Sequence, residues 1–225
     1  MSLDNINPQF LNMLYRVPVL LLSFMTHELS HALAAYGCGD QTARQAGRIS
    51  FNPIRHIDPI GAIMLIVAGF GWAKPVPINP FNFRNRKAGI VITSLAGPMS
   101  NVLLAMLFCA AYYIYGAYAQ PAPFLPLEGA ARFVTPLLYQ FIIVNISLAA
   151  FNLIPIPPLD GSKVLFSVLP ERIYYNYILR YERYGMFVLM ALMFSGYLGK
   201  ILGPLINFLI RFVEFIVRPI ISVFI

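Results

Sequence analysis

The chain has 225 residues, of which 59% are hydrophobic and only 11% are charged. A soluble globular domain carries about 25% charged residues, and a soluble fold of this length lacks the interior to hide so much apolar surface. The composition therefore excludes an ordinary soluble domain and indicates a protein that crosses a membrane several times. The net charge of +7 does not indicate nucleic-acid binding, because the basic residues lie between apolar segments and not along one stripe.

The apolar segments predict an all-α membrane protein, a bundle of about five to six transmembrane helices. The first segment, at about 17–36, is long enough to cross a hydrocarbon core of about 30 Å. Residues 1–9 before it lack the basic start of a cleavable signal, so we expect no cleavage here. Further long apolar segments follow at 88–118, 133–154, 185–198 and 201–225.

The loops between these segments predict the orientation in the membrane. Loops 37–87 and 160–184 hold most of the Lys and Arg residues, whereas loop 120–130 holds none, which places the first two in the cytoplasm. The apolar stretch 57–72 has basic residues on both sides. That pattern favours a re-entrant or interfacial hairpin over a short true span. We also predict that 160–184 is an interfacial segment with an amphipathic helix.

One motif carries the chemistry: His27-Glu28-Leu29-Ser30-His31 lies inside the first predicted helix. Residues i and i+4 share a helix face, so both imidazoles can bind one zinc ion. Glu28 lies beside them and can take a proton from a water on that ion. The alternative is a set of structural contacts between helices. Three ionisable groups inside a membrane are costly without a metal, and this disfavours the structural alternative.

Asp160 is the candidate for the third protein ligand that a catalytic zinc site needs. Three prolines in 152–161 interrupt helical hydrogen bonding as the chain leaves the membrane, and Gly161 permits a tight turn. This break lets the carboxylate point back into the bundle. The alternative is an N-cap of the following helix. His27 and His31 lie ~15 and ~9 Å from the cytoplasmic end of their helix, which agrees with the depth of Asp160.

Taken together, the motifs resemble the site-2 protease family of intramembrane zinc metalloproteases. The resemblance extends over about residues 15–165, and two of the segments resemble the small prokaryotic branch of that family. The segments that carry it, in chain order, are His27–His31, Phe51–Pro59, Lys74–Pro80, Gly97-Pro98 with Asn101, and Asn152–Gly161.

The resemblance implies a role for each candidate residue of the site. His27, His31 and Asp160 would bind one Zn²⁺ per chain. Glu28 would be the catalytic base. Asn152 would lie near the metal and help to hold the substrate or the oxyanion.

The resemblance also implies the activity and its setting. The chain would be a single intramembrane metalloprotease domain, 1–225, that hydrolyses peptide bonds within or next to transmembrane segments of membrane proteins, as in regulated intramembrane proteolysis. Its partners would be such substrates and the lipid bilayer. It would be a multi-pass protein of the prokaryotic plasma membrane, with its active site towards the cytoplasm.

Two other functions use the same residues. A metal transporter could bind zinc transiently, but it should show internal repeats, and the sequence shows none. An inactive protein that shelters membrane segments is the third alternative, and an intact set of ligands plus a base argues against it.

Several residues receive weaker predictions. Asn101 and Asn145 should form hydrogen bonds between helices, and His56 should be a loop residue bonded to its neighbours. Lys74–Pro80 is either a connecting loop or an extended segment that pairs with an unwound substrate. Three charged residues at helical spacing, Arg211, Glu214 and Arg218, fall on one helical face, and their pairing there could make either a membrane-surface helix or an oligomer contact. The two cysteines, Cys38 and Cys109, should not form a disulfide.

Overall fold

The computed structural model describes residues 8–68, 71–118, 127–170 and 184–224. Its side chains are described in the same ranges except at 8–14, 65–68 and 127–132. Most of the predicted amphipathic helix within 160–184 and most of loop 120–130 lie outside the described residues.

The described residues form α-helices joined by loops that contain two 3₁₀ turns, Pro53–His56 and Pro80–Asn82. The all-α prediction is confirmed. The α-helices are α1 Pro8–Gly37, α2 Thr42–Gln45, α3 Pro59–Ala68, α4 Arg86–Tyr118, α5 Leu127–Asn152, α6 Asp160–Ser167, α7 Tyr184–Phe194 and α8 Tyr197–Ile221.

Three helical segments are long and apolar enough to cross a membrane: Tyr15–Gly37, Arg86–Tyr118 and Phe133–Asn152. Helices α7 and α8 together could form a fourth span, but they are bent by 88° at their junction. Gly196 lies at this bend with a φ of 72°, a left-handed backbone that glycine adopts without strain. The described residues thus form a membrane helix bundle of three or up to four spans, and a count of five to six stays a prediction.

Helix α4 lies at the centre of the bundle and packs against α1, α5, α6 and α8. Small residues such as Ala105, Ala149 and Ala150 let the helices approach closely where α4, α5 and α8 meet. The buried core at this meeting point comprises Val102, Ala105, Cys109, Ile146, Ala149, Ala150, Leu209, Val213, Val217 and Ile221. Both cysteines are free, as predicted.

The stretch 57–72 returns to the place where it begins. Helix α3 has ten residues, so it is ~15 Å long, about half the thickness of the hydrocarbon core. Ile57 and Ala73 form an antiparallel bridge, and the Lys74 amide donates to the His56 carbonyl at 2.9 Å. The two ends are paired, as a hairpin requires, and the choice between a hairpin and a short true span in the membrane stays a prediction.

The charged residues of α8 do not pair as predicted. Arg211, Glu214 and Arg218 are all exposed on the face opposite Leu209 and Val213, which pack against α4 and α5. No ion pair joins these three side chains in the described part of the chain. Their helical spacing brings them to one face but does not bring their charged ends together.

Candidate metal centre

Helix α1 presents the histidine motif in the interior of the bundle. His27 and His31 are buried, and Glu28 is half-buried on a neighbouring face of the helix. The hydroxyls of Thr26 and Ser30 donate to carbonyls four residues earlier, at 2.9 and 2.7 Å. Both hydroxyls therefore form their hydrogen bonds within α1 and make none with the two imidazoles.

Three side chains meet at one point, those of His27, His31 and Asp160. The two Nε2 atoms are 3.0 Å apart. Asp160 Oδ2 lies 3.3 Å from Nε2 of His27 and 3.1 Å from Nε2 of His31. Ligand atoms of a tetrahedral zinc site are ~3.3 Å apart, given zinc–ligand bonds of about 2.0–2.1 Å. The triangle therefore has the size that one zinc ion requires.

The tautomers of the two histidines also suit a metal. Nδ1 of His27 donates to the side-chain oxygen of Asn101 at 2.6 Å, and Nδ1 of His31 donates to the Thr93 carbonyl at 2.7 Å. Since each Nδ1 carries its proton towards an oxygen, each Nε2 keeps a lone pair for a metal. Two lone pairs and a carboxylate oxygen that face one another repel, and a cation between them removes the repulsion.

Helix α4 comes close to the imidazoles because residue 97 is glycine. A Cβ atom at Gly97 would lie 2.4 Å from His31 Nε2 and 2.6 Å from His27 Cε1, which no side chain can do. Sequence reasoning noted Gly97 only as part of a family resemblance and missed this role. A glycine followed by proline within a long apolar helix was the available signal.

Asp160 is the first residue of α6. Its Oδ2 faces the imidazoles, and its Oδ1 accepts an ion-paired hydrogen bond from Lys163 Nζ at 3.1 Å. The predicted N-cap alternative is wrong, because the N-cap is Leu159 and no side chain caps this helix.

Gly161 was predicted to permit a tight turn after Asp160, and this reason for the glycine is wrong. Gly161 lies within α6, and its φ is not positive, so it makes no turn that requires glycine. A Cβ atom there would lie 2.2 Å from the Leu153 carbonyl oxygen. Gly161 instead lets the start of α6 pack against the chain that leaves α5, which brings Asp160 to the histidines.

Glu28 lies outside the group of three ligand atoms. Its Oε2 accepts a hydrogen bond from the backbone amide of Val76 at 2.8 Å. Val76 belongs to the segment Lys74–Pro80, so this segment contacts α1 beside the candidate ligands. Whether this segment also pairs with a substrate strand stays a prediction. Sequence reasoning missed the contact with Glu28, since a backbone amide leaves no signature in the sequence.

Asn101 and Asn145 form the predicted hydrogen bonds between helices. Asn101 Nδ2 on α4 donates to Asn145 Oδ1 on α5 at 2.8 Å, and Asn145 Nδ2 donates to the Phe141 carbonyl at 2.8 Å. Both asparagines are fully buried. Because Asn101 also holds His27, the network ties the candidate metal centre to three helices, which was not predicted.

Two further candidates, Asn152 and His56, each donate a hydrogen bond to a nearby backbone carbonyl. Asn152 ends α5, and its Nδ2 donates to the Leu148 carbonyl of the same helix at 3.0 Å. His56 is buried in the loop before α3, and its Nε2 donates to the Ser50 carbonyl at 2.9 Å. The prediction that His56 is a loop residue bonded to its neighbours is confirmed.

Comparisons with known proteins agree with the geometry. The profile of Peptidase family M50 matches residues 122–196. The chain is 38% identical over 196 residues to the protein YwhC of Bacillus subtilis, with 86% of each chain covered. No solved structure matches the chain significantly.

Two more distant relatives match over shorter ranges. Rip2 of Mycolicibacterium smegmatis is 31% identical over 147 residues, 63% of this chain and 52% of that protein. MJ0611 of Methanocaldococcus jannaschii is 30% identical over 145 residues, 63% of this chain and 64% of that protein. Like YwhC, both are described as candidate zinc metalloproteases. The chain therefore belongs to Peptidase family M50, the site-2 protease family of zinc metalloproteases, and its cofactor is zinc.

Proposed function

We propose that this chain is an intramembrane protease that hydrolyses peptide bonds within or next to transmembrane segments of membrane proteins. The convergence of His27, His31 and Asp160 inside a bundle of membrane-spanning helices supports this proposal most strongly. These residues bind one zinc ion per chain. Bound zinc polarises a carbonyl and makes a coordinated water acidic enough to attack at neutral pH.

Glu28 is the catalytic base in this proposal. Its carboxylate lies next to the ligands but is not one of them, so it is free to accept a proton from the attacking water. It then delivers that proton to the leaving amine. Asn152 helps to hold the substrate or the oxyanion through its amide, which donates to Leu148 in this structure.

The proposal includes the setting in which the chain acts. The chain acts as one domain, 1–225, in the prokaryotic plasma membrane, with the site towards the cytoplasm. The basic residues of loop 37–87 support this orientation. The substrates are membrane proteins whose helical peptide bonds must be unwound before attack, and their cleavage is the step that regulated intramembrane proteolysis requires.

Three variants measured in parallel test the proposal. Glu28→Gln should keep its zinc and lose cleavage of a model transmembrane substrate by ~10²–10⁴-fold, because a general base is removed. Asp160→Asn and His27→Ala each weaken a ligand, so zinc content and cleavage should fall together, further in His27→Ala. Zinc content is measured on the purified membrane protein. Loss of zinc from Glu28→Gln, or cleavage at the normal rate by that variant, contradicts the assigned roles.

A further inference from the structure

The hydrogen bond between the Val76 amide and Glu28 involves none of the three proposed zinc ligands, but it joins a loop segment to the histidine motif. We call the segment Lys74–Asn79 the strap. It has no regular secondary structure, and its Val76 amide donates to Glu28 Oε2 on α1 at 2.8 Å. No other hydrogen bond or ion pair reaches the Glu28 carboxylate in the described part of the chain. Its second oxygen, Oε1, is therefore left for another partner.

The composition of the strap restricts which amide can make this contact. Pro75 and Pro77 flank Val76, so neither neighbour has an N–H group to donate, and each proline fixes its own φ near −65°. The side chain of Val76 is buried against Ala32 and Ala43. The strap therefore offers a single donor at this point, held in place by prolines on both sides and by apolar packing.

Both ends of the strap are anchored by the loop that follows α1. Nη2 of Arg48 donates to the Lys74 carbonyl at 2.5 Å. At the other end, the Asn79 amide donates to Asp40 Oδ2 at 2.7 Å. Asp40 is fully buried, and Thr42 and Asn82 also donate to it. Two hydrogen bonds thus fix the ends of the strap to the loop after α1, and a third, from the Val76 amide to Glu28, fixes its middle to α1 itself.

We propose that the strap is a positioning element for Glu28. The Val76 amide holds one carboxylate oxygen, and this orients the other towards the water that must lose its proton. A hydrogen bond to an ionised carboxylate is stronger than a neutral one, so a single amide suffices to restrict an otherwise flexible side chain. Val76 acts only through Glu28 and is therefore a positioning residue. The inference rests on the proposed function, in which Glu28 is the base.

Replacement of the Val76 amide by an ester tests this proposal. Incorporation of the α-hydroxy analogue of valine at this position of the full-length chain removes the N–H group and keeps the buried side chain. We expect kcat for a model transmembrane substrate to fall by ~10²-fold, since a misplacement of about 1 Å can cost that much. KM and zinc content should stay unchanged. The matched control is the corresponding replacement at Phe51, an exposed residue outside the strap whose amide donates to no group in the described part of the chain.

A double-mutant cycle separates positioning from support of the fold. In a Glu28→Ala background, single-turnover cleavage with excess enzyme should show no additional loss from the Val76 ester, because the group that it positions is gone. An equal loss in both backgrounds, a loss of zinc, or an unchanged kcat in the ester chain overturns the proposal. Failure of the proposed function looks different, since Glu28→Gln alone would then cleave at the normal rate.

Discussion

The two faces of α1 that carry the motif are supported in different ways. His27 and His31 are held by atoms of α4, a 33-residue helix, through contacts that are buried and close. Glu28 is held by an amide of the strap, which lies in a loop. The face of the proposed zinc ligands therefore depends on helix packing, whereas the face of Glu28, the proposed base, depends on a loop and its anchors.

This difference shows that the two tasks of the site can be lost separately. Packing of α1 against α4 belongs to the interior of the bundle, which opens only when much of the fold opens. The strap is joined to α1 through a small apolar cluster around Val76 and a few hydrogen bonds. Changes on the histidine face should therefore release zinc, and changes on the other face should spare it.

The largest effect is expected from Gly97→Ala. The added methyl group would overlap both imidazoles, so α4 must move away and the zinc site should be lost, with zinc content and cleavage falling to background. Gly116→Ala on the same helix is the control, because a Cβ atom there meets nothing within 4 Å. The control should keep its zinc and gain up to ~1 kcal/mol of stability. Retention of zinc by Gly97→Ala would show that α4 does not need this close approach.

Asn101→Ala should lower zinc affinity strongly, although less than Gly97→Ala does. It removes the acceptor that fixes the Nδ1 proton of His27, and loss of such a partner typically lowers metal affinity ~10–100-fold. Competition with a chelator measures the affinity. Asn145→Ala is the comparison, since it removes only the more distant bond to Asn101 and should lower zinc affinity less. Equal losses in both variants would mean that the network acts through helix packing.

A third variant, Lys163→Met, should weaken zinc binding less again. Lys163 pairs with the oxygen of Asp160 that faces away from the histidines, and its side chain is 39% exposed. Water can replace such a partner in part, and exposed ion pairs contribute little. We expect zinc affinity, again measured by chelator competition, to fall less than ~10-fold. The zinc affinity of Lys163→Arg should be close to that of the unchanged protein. A loss as large as that of Asn101→Ala would contradict this order.

The smallest effect on zinc is expected at Asp40, which anchors the strap. Burial alone would raise the pKa of Asp40, but the hydrogen bonds that it accepts lower that pKa below its ordinary value. Asp40 therefore contributes its full stabilisation of the fold at any pH above the ordinary pKa of a carboxyl group. That stabilisation is lost only as the pH falls through the lowered pKa of Asp40. Hydrogen exchange at the Asn79 amide should remain slow from neutral pH to mild acid.

Asp40→Asn should remove that protection at every pH, because an amide cannot replace a carboxylate that receives several donors. Asn79 exchange should then be fast at neutral pH, and zinc content should be unchanged. Loss of zinc from this variant would mean that the two faces of α1 are not independent.

The first helix, the meeting of His27 and His31 on one face of it, and the nearness of the two ends of 57–72 could be predicted because side-chain types and spacings reveal them. Two imidazoles at i and i+4 share one face of any helix, and basic loops on both sides of 57–72 favour paired ends. The partners of His31 and Glu28 could not be found in this way, since they are the Thr93 carbonyl and the Val76 amide. Every residue has such backbone groups, so only the packing of the chain selects them.

Other features depend on distances between helices. Gly97 and Gly161 look like a helix breaker and a turn residue, but both allow close approach of neighbouring atoms. The charges of α8 share a face as their spacing predicts, yet they form no ion pair within the described residues. The bend of 88° between α7 and α8 also lies in a segment that composition alone divides into two apolar runs.

The separation of the ligands along the chain has a consequence for how the protein is made. His27 and His31 belong to the first helix, whereas Asp160 begins the sixth. At roughly 5–20 residues per second, the ribosome needs about 6–26 s to add the roughly 130 residues between them. During that interval the motif is present without Asp160, the proposed third ligand. In the proposed function, zinc is bound by the full set only after α6 has emerged, so a nascent chain would be unable to cut its neighbours at the site of insertion.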